Sequence, residues 1–233
     1  MAYMAMHAGR INAVRATIGF NQRFPNSCEL LHNYVMTYEF IFGLILFALV
    51  SSITPGPNNL MLMASGANYG FRRTVPHILG VGIGFTVMVL LVGVGLMQVF
   101  DLFPVSYQIL KVVSVVYLIY LAWKIATAAA PKDTKEVTGK PFTFIQAALF
   151  QWVNPKAWTM ALTAISVYSP TQGLLAVAFV AGIFGIVNLP CVSLWATLGL
   201  SLQRLLTSAA RLRAFNITMA VLLIGSLYPV LRP

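Results

Sequence analysis

The sequence predicts an all-α membrane protein: six transmembrane helices arranged as two three-helix inverted repeats whose first helices are broken. Three observations carry that reading. Hydrophobic residues make up 59% of the chain and charged residues only 9%, with a mean hydropathy of +0.82, where soluble domains hold about 45–50% apolar and about 25% charged residues. Apolar runs of roughly 20 residues, the length a helix needs to cross a bilayer, recur at 38–64, 75–100, 109–128, 142–168, 174–200 and 215–230. Two of these runs, the first and the fourth, carry prolines near their middles. Lipid offers peptide groups no water, so spanning segments close their hydrogen bonds as helices or closed barrels, and long apolar runs without alternation exclude the barrel.

Residues 1–35 stand apart. Arg10, Arg15 and Arg23 are spread among Asn, Gln, Ala and Gly, and no apolar core of about 7–15 residues follows, so the segment is not a usual secretory signal. It reads as an N-terminal extension, a disordered tail or an overlong translation start, with Met36 opening the sequence "MTYEF". The remainder divides into a first repeat at 36–130, a polar linker at 131–140 and a second repeat at 141–233.

The first run contains "SSITPGPNNLMLMA", from Ser51. Pro55 and Pro57 lack amide hydrogens and clash with preceding carbonyls, so the acceptors around residues 50–53 lose helical partners. Neighbouring helices, the Ser51, Ser52 and Thr54 side chains, or a wet cavity must replace those bonds. Gly56 permits close approach, Asn58 and Asn59 bring amide donors and acceptors, and the restarted helix exposes N-terminal amides suited to a carboxylate.

In the second run, Pro76 after Thr74 suits a first helical position and puts His77 just inside the span, beside Arg72 and Arg73, as a structural or interfacial residue. Gly80 and Gly84 have the GxxxG spacing that lets helix backbones approach, a packing device. In the fourth run, "QWVNPKAW" places Asn154, Pro155 and Lys156 about 21 Å along a helix from Phe142, too deep for the lysine to reach the interface. A charge there costs about 2.5–3.5 kcal/mol, so it must face a cavity or a partner. Asn188 with Pro190 predicts a similar interruption in the fifth run, a secondary site candidate.

Aligned with itself at an offset of 100, "ALVSSITPGPNNLMLMA" meets "ALFQWVNPKAWTMALTA" with five of seventeen positions identical, Pro55 on Pro155. Three spans per repeat reverse the second copy, which gives the pseudo-two-fold arrangement of secondary transporters. Arg72, Arg73, Lys124, Lys132, Lys135, Lys140, Arg204, Arg211 and Arg213 fall on one side, Lys111 and Arg232 on the other. The richer side is cytoplasmic by the positive-inside rule, with the Met36 end and the C-terminus outside.

The formal charge of +10 is scattered between apolar runs instead of forming a stripe, so nucleic acid is not a partner. Cys28 and Cys191 have no metal-ligand spacing, and nothing in the sequence calls for a metal or a cofactor. An intramembrane enzyme lacks its constellation: there is no HExxH, no acidic pair, and His77 is the only histidine past residue 35. Export of a cation is disfavoured by scarce intramembrane Asp, Glu and Cys. An accessory scaffold remains the alternative from another class, and a homo-oligomer stays open.

The blocks "ITPGPNNLMLMASGANYGFRRTVPHILGVGIGF", "VVYLIYLAWKIA", "FIQAALFQWVNPKAW" and "RLRAFNITMAVLLIGSL" resemble the LysE/RhtB family of amino-acid exporters, from about residue 36 to 230. The resemblance implies a multi-pass protein of the cytoplasmic membrane that exports amino acids or related metabolites, driven by the proton gradient. Its motifs fall on Thr54, Pro55, Gly56, Pro57, Asn58 and Asn59, and on Asn154, Pro155 and Lys156. The two breaks are then expected to face each other and form one polar site near the midplane. Helix-end amides or Lys156 take the substrate carboxylate there, while Asn side chains and freed carbonyls take its ammonium.

Overall fold

A computed structural model describes residues 27–96, 102–128, 140–169 and 173–228. The structure is 88% helical and has no strand among the described residues. Residues 1–26 and 129–139, which hold most of the extension and of the linker, lie outside the described residues.

Helix α1 (Ser27–Ile53) starts nine residues before Met36, so position 36 is no helix boundary. Ser27 follows Pro25 and Asn26, and no proline interrupts the chain before Pro55. The break after Ile53 is short: Gly56 is fully extended, and Pro57 opens α2 (Pro57–Tyr69) at its first position, where the missing amide costs nothing. Residues 38–53 and α2 meet at 53°, a bent pair that counts as one span when taken together.

Gly70, at φ +78°, turns the chain directly from α2 into α3 (Phe71–Leu91), and its amide closes on the Gly66 carbonyl at 3.0 Å. Helix α3 therefore begins five residues before Pro76, which lies inside the helix instead of at its start. His77 is 1% exposed, buried within the bundle. The helix loosens into a π-turn at Val92–Leu96, where Gly95 takes φ +112°. Helix α4 (Pro104–Ala126) again opens on proline.

In the second half, α5 (Phe144–Phe150) is fixed by a capping box between Thr143 and Gln146. A 3-10 turn at Gln151–Val153 follows, and α6 (Pro155–Tyr168) restarts after Asn154. The straight 21 Å rise from Phe142 to Lys156 is thus replaced by a broken path, because Pro155 can only begin a helix here. Helix α7 (Leu174–Gln203) runs unbroken through Pro190, so the interruption expected there does not occur. Ser208 caps α8 (Ala209–Gly225) by accepting from the Arg211 amide, which starts that helix six residues before the apolar run at 215.

Three helices are long and apolar enough to cross a membrane individually: Phe71–Gly95, Gln108–Ala126 and Leu174–Gln203. The bent first pair makes four. The bundle is held by close backbone approach: a Cβ on Gly66 or Gly199 would collide with the main chain of α7 or α2, and one on Gly80 or Gly84 with that of α5. The Gly80 and Gly84 spacing is therefore packing, as its sequence pattern predicts. Buried clusters join Leu44, Phe85 and Phe184, then Leu60, Leu118, Phe150 and Leu223, then Leu62, Val81 and Ala196. A reciprocal amide pair ties α2 to α8, with Asn68 donating to Asn216 at 2.9 Å and accepting back at 3.2 Å. The outer surface is as apolar as the interior, with Phe42, Leu49, Ile83, Val116, Ile186 and Val221 exposed, the surface of a protein solvated by lipid.

Candidate functional site

The two breaks come together. Lys156, at the second position of α6, reaches across to the first break and donates from Nζ to the Thr54 carbonyl at 2.7 Å, the Thr54 hydroxyl at 2.9 Å and the Pro55 carbonyl at 3.3 Å. Its stem lies over Gly56, where a Cβ would stand 2.6 Å from Lys156 Cδ. Glycine at position 56 is the condition for that crossing.

The carbonyls that the prolines orphan are each supplied by a named donor. Asn59 Nδ2 donates to the Ser52 and Thr54 carbonyls, both at 2.8 Å, and the Trp195 indole donates to the Ile53 carbonyl at 3.0 Å. Of the three hydroxyls expected to help, Thr54 bonds the Ser51 carbonyl and Ser51 bonds back to Phe47, but Ser52 Oγ has no partner. Protein side chains therefore already supply donors to the freed carbonyls. Asn58 pairs in both directions with Gln151, at 2.8 and 3.2 Å, and so joins the start of α2 to the 3-10 turn before the second break.

At the second break Asn154 is both end and beginning. Its amide bonds the Gln151 carbonyl at 3.3 Å, and its side chain accepts from the Lys156 amide at 3.1 Å. Between the breaks lies a small cavity, open on one side. Gly56, Asn58, Asn59, Asn154, Lys156 and Asn188 line it, six of the ten residues that the sequence marks as substrate-binding. Thr54 and Pro55 are exposed and Thr54 touches the site only through Lys156, while Pro57 and Pro155 serve as helix starts outside the lining. Asn188 enters from the continuous α7, without the helix break that suggested it.

Sequence reasoning gives no role to Gln151, Trp195, Phe85, Met160 and Val192. Gln151, next to the Asn-Pro pair, is fully buried, and a glutamine in an apolar run was the one available signal. Apart from Lys156 the lining is uncharged, with Ser52 presenting a buried unbonded hydroxyl and Phe85, Met160 and Val192 an apolar wall. The chemistry of this lining suits a carboxylate beside the lysine and a small uncharged group against the wall.

A polar interior cavity at two helix breaks, inside a bundle with an apolar exterior, defines an integral membrane protein of the solute-carrier class. The chain belongs to the LysE type translocator family, whose profile matches residues 49–226. It is 32% identical to a cysteine/O-acetylserine efflux protein of Escherichia coli O139:H28 (strain E24377A / ETEC) over 182 residues, 76% of this chain and 90% of that one. Proteins with the same description from Escherichia coli (strain K12) and Shigella sonnei (strain Ss046) are 31% identical over the same shares. No solved structure matches it.

Proposed function

We propose that this protein exports small, uncharged amino acids across the cytoplasmic membrane, with Lys156 as the residue that receives the substrate carboxylate. The observation that carries the proposal is the position of Lys156 Nζ. It lies at the cavity, bound only to the neutral acceptors of Thr54 and Pro55. Carboxylates form stronger bonds with an ammonium than neutral carbonyls do, so a substrate carboxylate displaces these acceptors. Releasing the Thr54 and Pro55 carbonyls loosens the first break, and loading the site is thereby coupled to the helix that has to move.

Pro57 starts α2 without a side-chain cap and leaves the amides after it as donors, whereas at α6 the Lys156 amide is taken by the Asn154 side chain. The Ser52 hydroxyl and the Asn188 amide are the partners for the substrate ammonium and for a polar side-chain tip. An uncharged lining and the description of the relatives as cysteine/O-acetylserine efflux proteins both support a small neutral side chain.

In this reading the chain crosses the membrane six times, α1 with α2 and α5 with α6 each forming one broken span in two inverted repeats. Basic residues at the α2–α3 turn, the end of α4 and the α7–α8 connection support a cytoplasmic position for that end. Proton-motive force drives export; Lys156 is the titratable side chain of the cavity. The deciding experiment is efflux from a strain lacking its own exporters, with Lys156→Met and Lys156→Arg at normal membrane levels. Loss in Lys156→Met with partial rescue in Lys156→Arg is expected, and unchanged efflux in both removes the lysine from the mechanism. Collapse of efflux on adding a protonophore is expected; efflux that persists refutes the energy source.

A further inference from the structure

A second cavity, open on one side, lies at the basic end of α2, α3 and α4 and shares no lining residue with the first. Lys124, Lys140, His77, Phe142, Ser65 and Leu121 are in its wall. Among the described residues no aspartate or glutamate lines it. Lys124 sits over the Phe142 ring at 5.6 Å, and His77 packs on that same ring at 5.3 Å, so one aromatic side chain organises an ammonium and an imidazole around one space.

Two other polar side chains there are already engaged. Ser65 bonds Thr74 at 2.9 Å, and Asn68 is taken up by Asn216 and the Ala64 carbonyl. His77 differs: it is 1% exposed, and neither ring nitrogen has a partner. A neutral imidazole carries one donor and one acceptor, and burying both unmade is costly enough that native structures seldom tolerate it. A ligand that completes this wall offers negative oxygens to two ammonium groups and one N–H, a hydroxyl to the remaining nitrogen, and apolar atoms to Leu121 and Phe142.

We propose that this cavity binds a phosphate-class oxyanion carried on an apolar body, the glycerol-phosphate headgroup of an acidic phospholipid. Basic pockets between membrane helices at the cytoplasmic side have the charge and the position for such headgroups. The headgroup supplies both the phosphate oxygens and the hydroxyls that His77 lacks. Because α2 runs from the first cavity at Asn58 and Asn59 to this one at Met61 and Tyr69, an occupied headgroup site braces the helix whose start faces the substrate.

The test is binding of short-chain phosphatidylglycerol to the full chain in neutral detergent, followed by native mass spectrometry, with short-chain phosphatidylcholine as the neutral control. Lys124→Gln with Lys140→Gln is expected to weaken phosphatidylglycerol binding about thirtyfold, as two surface-proximal lysines contribute. Arg204→Gln, an exposed charge at the same end, is expected to leave it within about twofold. His77→Phe keeps the ring packed on Phe142 and removes only the nitrogens, so its selective weakening reports the imidazole itself; it serves, with Lys124→Gln alone, where the double variant fails to reach the membrane. Inorganic phosphate that competes at millimolar concentration supports the same oxyanion site with a free source. Equal binding of both lipids overturns the proposal, as does an equal loss in Arg204→Gln and in the lysine variants.

Discussion

At the first break four consecutive carbonyls, from Ser52 to Pro55, draw their hydrogen bonds from Asn59, Trp195 and Lys156, two of which belong to the other half of the chain. At the second break the backbone groups are served locally, although the Gln151 side chain pairs with Asn58: Asn154 caps the Lys156 amide, the Trp158 amide closes on the Asn154 carbonyl at 3.3 Å, and the Trp158 indole bonds the Trp152 carbonyl at 2.9 Å. Both interruptions answer the same demand, that buried peptide groups find partners without water. Their solutions differ in what can undo them. A break satisfied from within eight residues stays closed whatever its neighbours do, so α6 is a fixed platform for Lys156. A break satisfied from elsewhere opens when its donors find better acceptors, so the segment from Ile53 to Pro57 is the part that responds.

The largest effect should follow from removing the bridging donor. Lys156→Met is expected to lower efflux about ten- to hundredfold, the range of a charge-assisted hydrogen bond. Gly56→Ala comes next and sharpens the comparison, since its methyl would meet the lysine stem at 2.6 Å and push Nζ away from the break. Efflux should fall about as far as in Lys156→Met, and the double variant should fall no further, because both changes remove one interaction. A purely additive double variant breaks the link between the two positions.

Stability separates the breaks. Asn59→Ala takes the side-chain donor from the buried Ser52 carbonyl and leaves the Thr54 carbonyl to Lys156, and should destabilise the purified protein by about 1–3 kcal/mol, whereas Asn154→Ala removes a helix cap worth about 1 kcal/mol. Thermal unfolding in detergent should rank Asn59→Ala below Asn154→Ala. The reverse order means that the first break does not depend on outside donors. Ser52→Ala is the smallest change for the fold, since its hydroxyl has no bond to lose, and melting should stay within about 0.5 kcal/mol of the wild type. Its apparent affinity for substrate should nevertheless weaken several-fold; an unchanged affinity removes Ser52 from the site.

How legible this was depends on whether a residue's role is local. "TPGPNN" and "NPK" stand out because two helix breakers and a charge have no business in an apolar run unless something compensates them, and that reasoning needs no tertiary structure. Asn154 could be read in the same way, as a cap before a proline. Trp195 and Gln151 could not: one sits 142 residues from the carbonyl it serves and the other 93 from its asparagine, and no spacing rule spans such separations. Pro76 and Pro190 mislead because both are tolerated inside helices, and the start of α3 is set by Gly70 instead. His77 is buried because a helix begun earlier carries it inward.

The most direct measurement compares, in reconstituted protein, the affinity for a small neutral amino acid with that for its carboxamide, in the wild type and in Lys156→Met. The wild type should prefer the free carboxylate by about tenfold or more, as a charge-assisted bond provides, and Lys156→Met should lose that preference while retaining weak binding of both. A preference that survives intact in Lys156→Met contradicts the assignment of the carboxylate to Lys156.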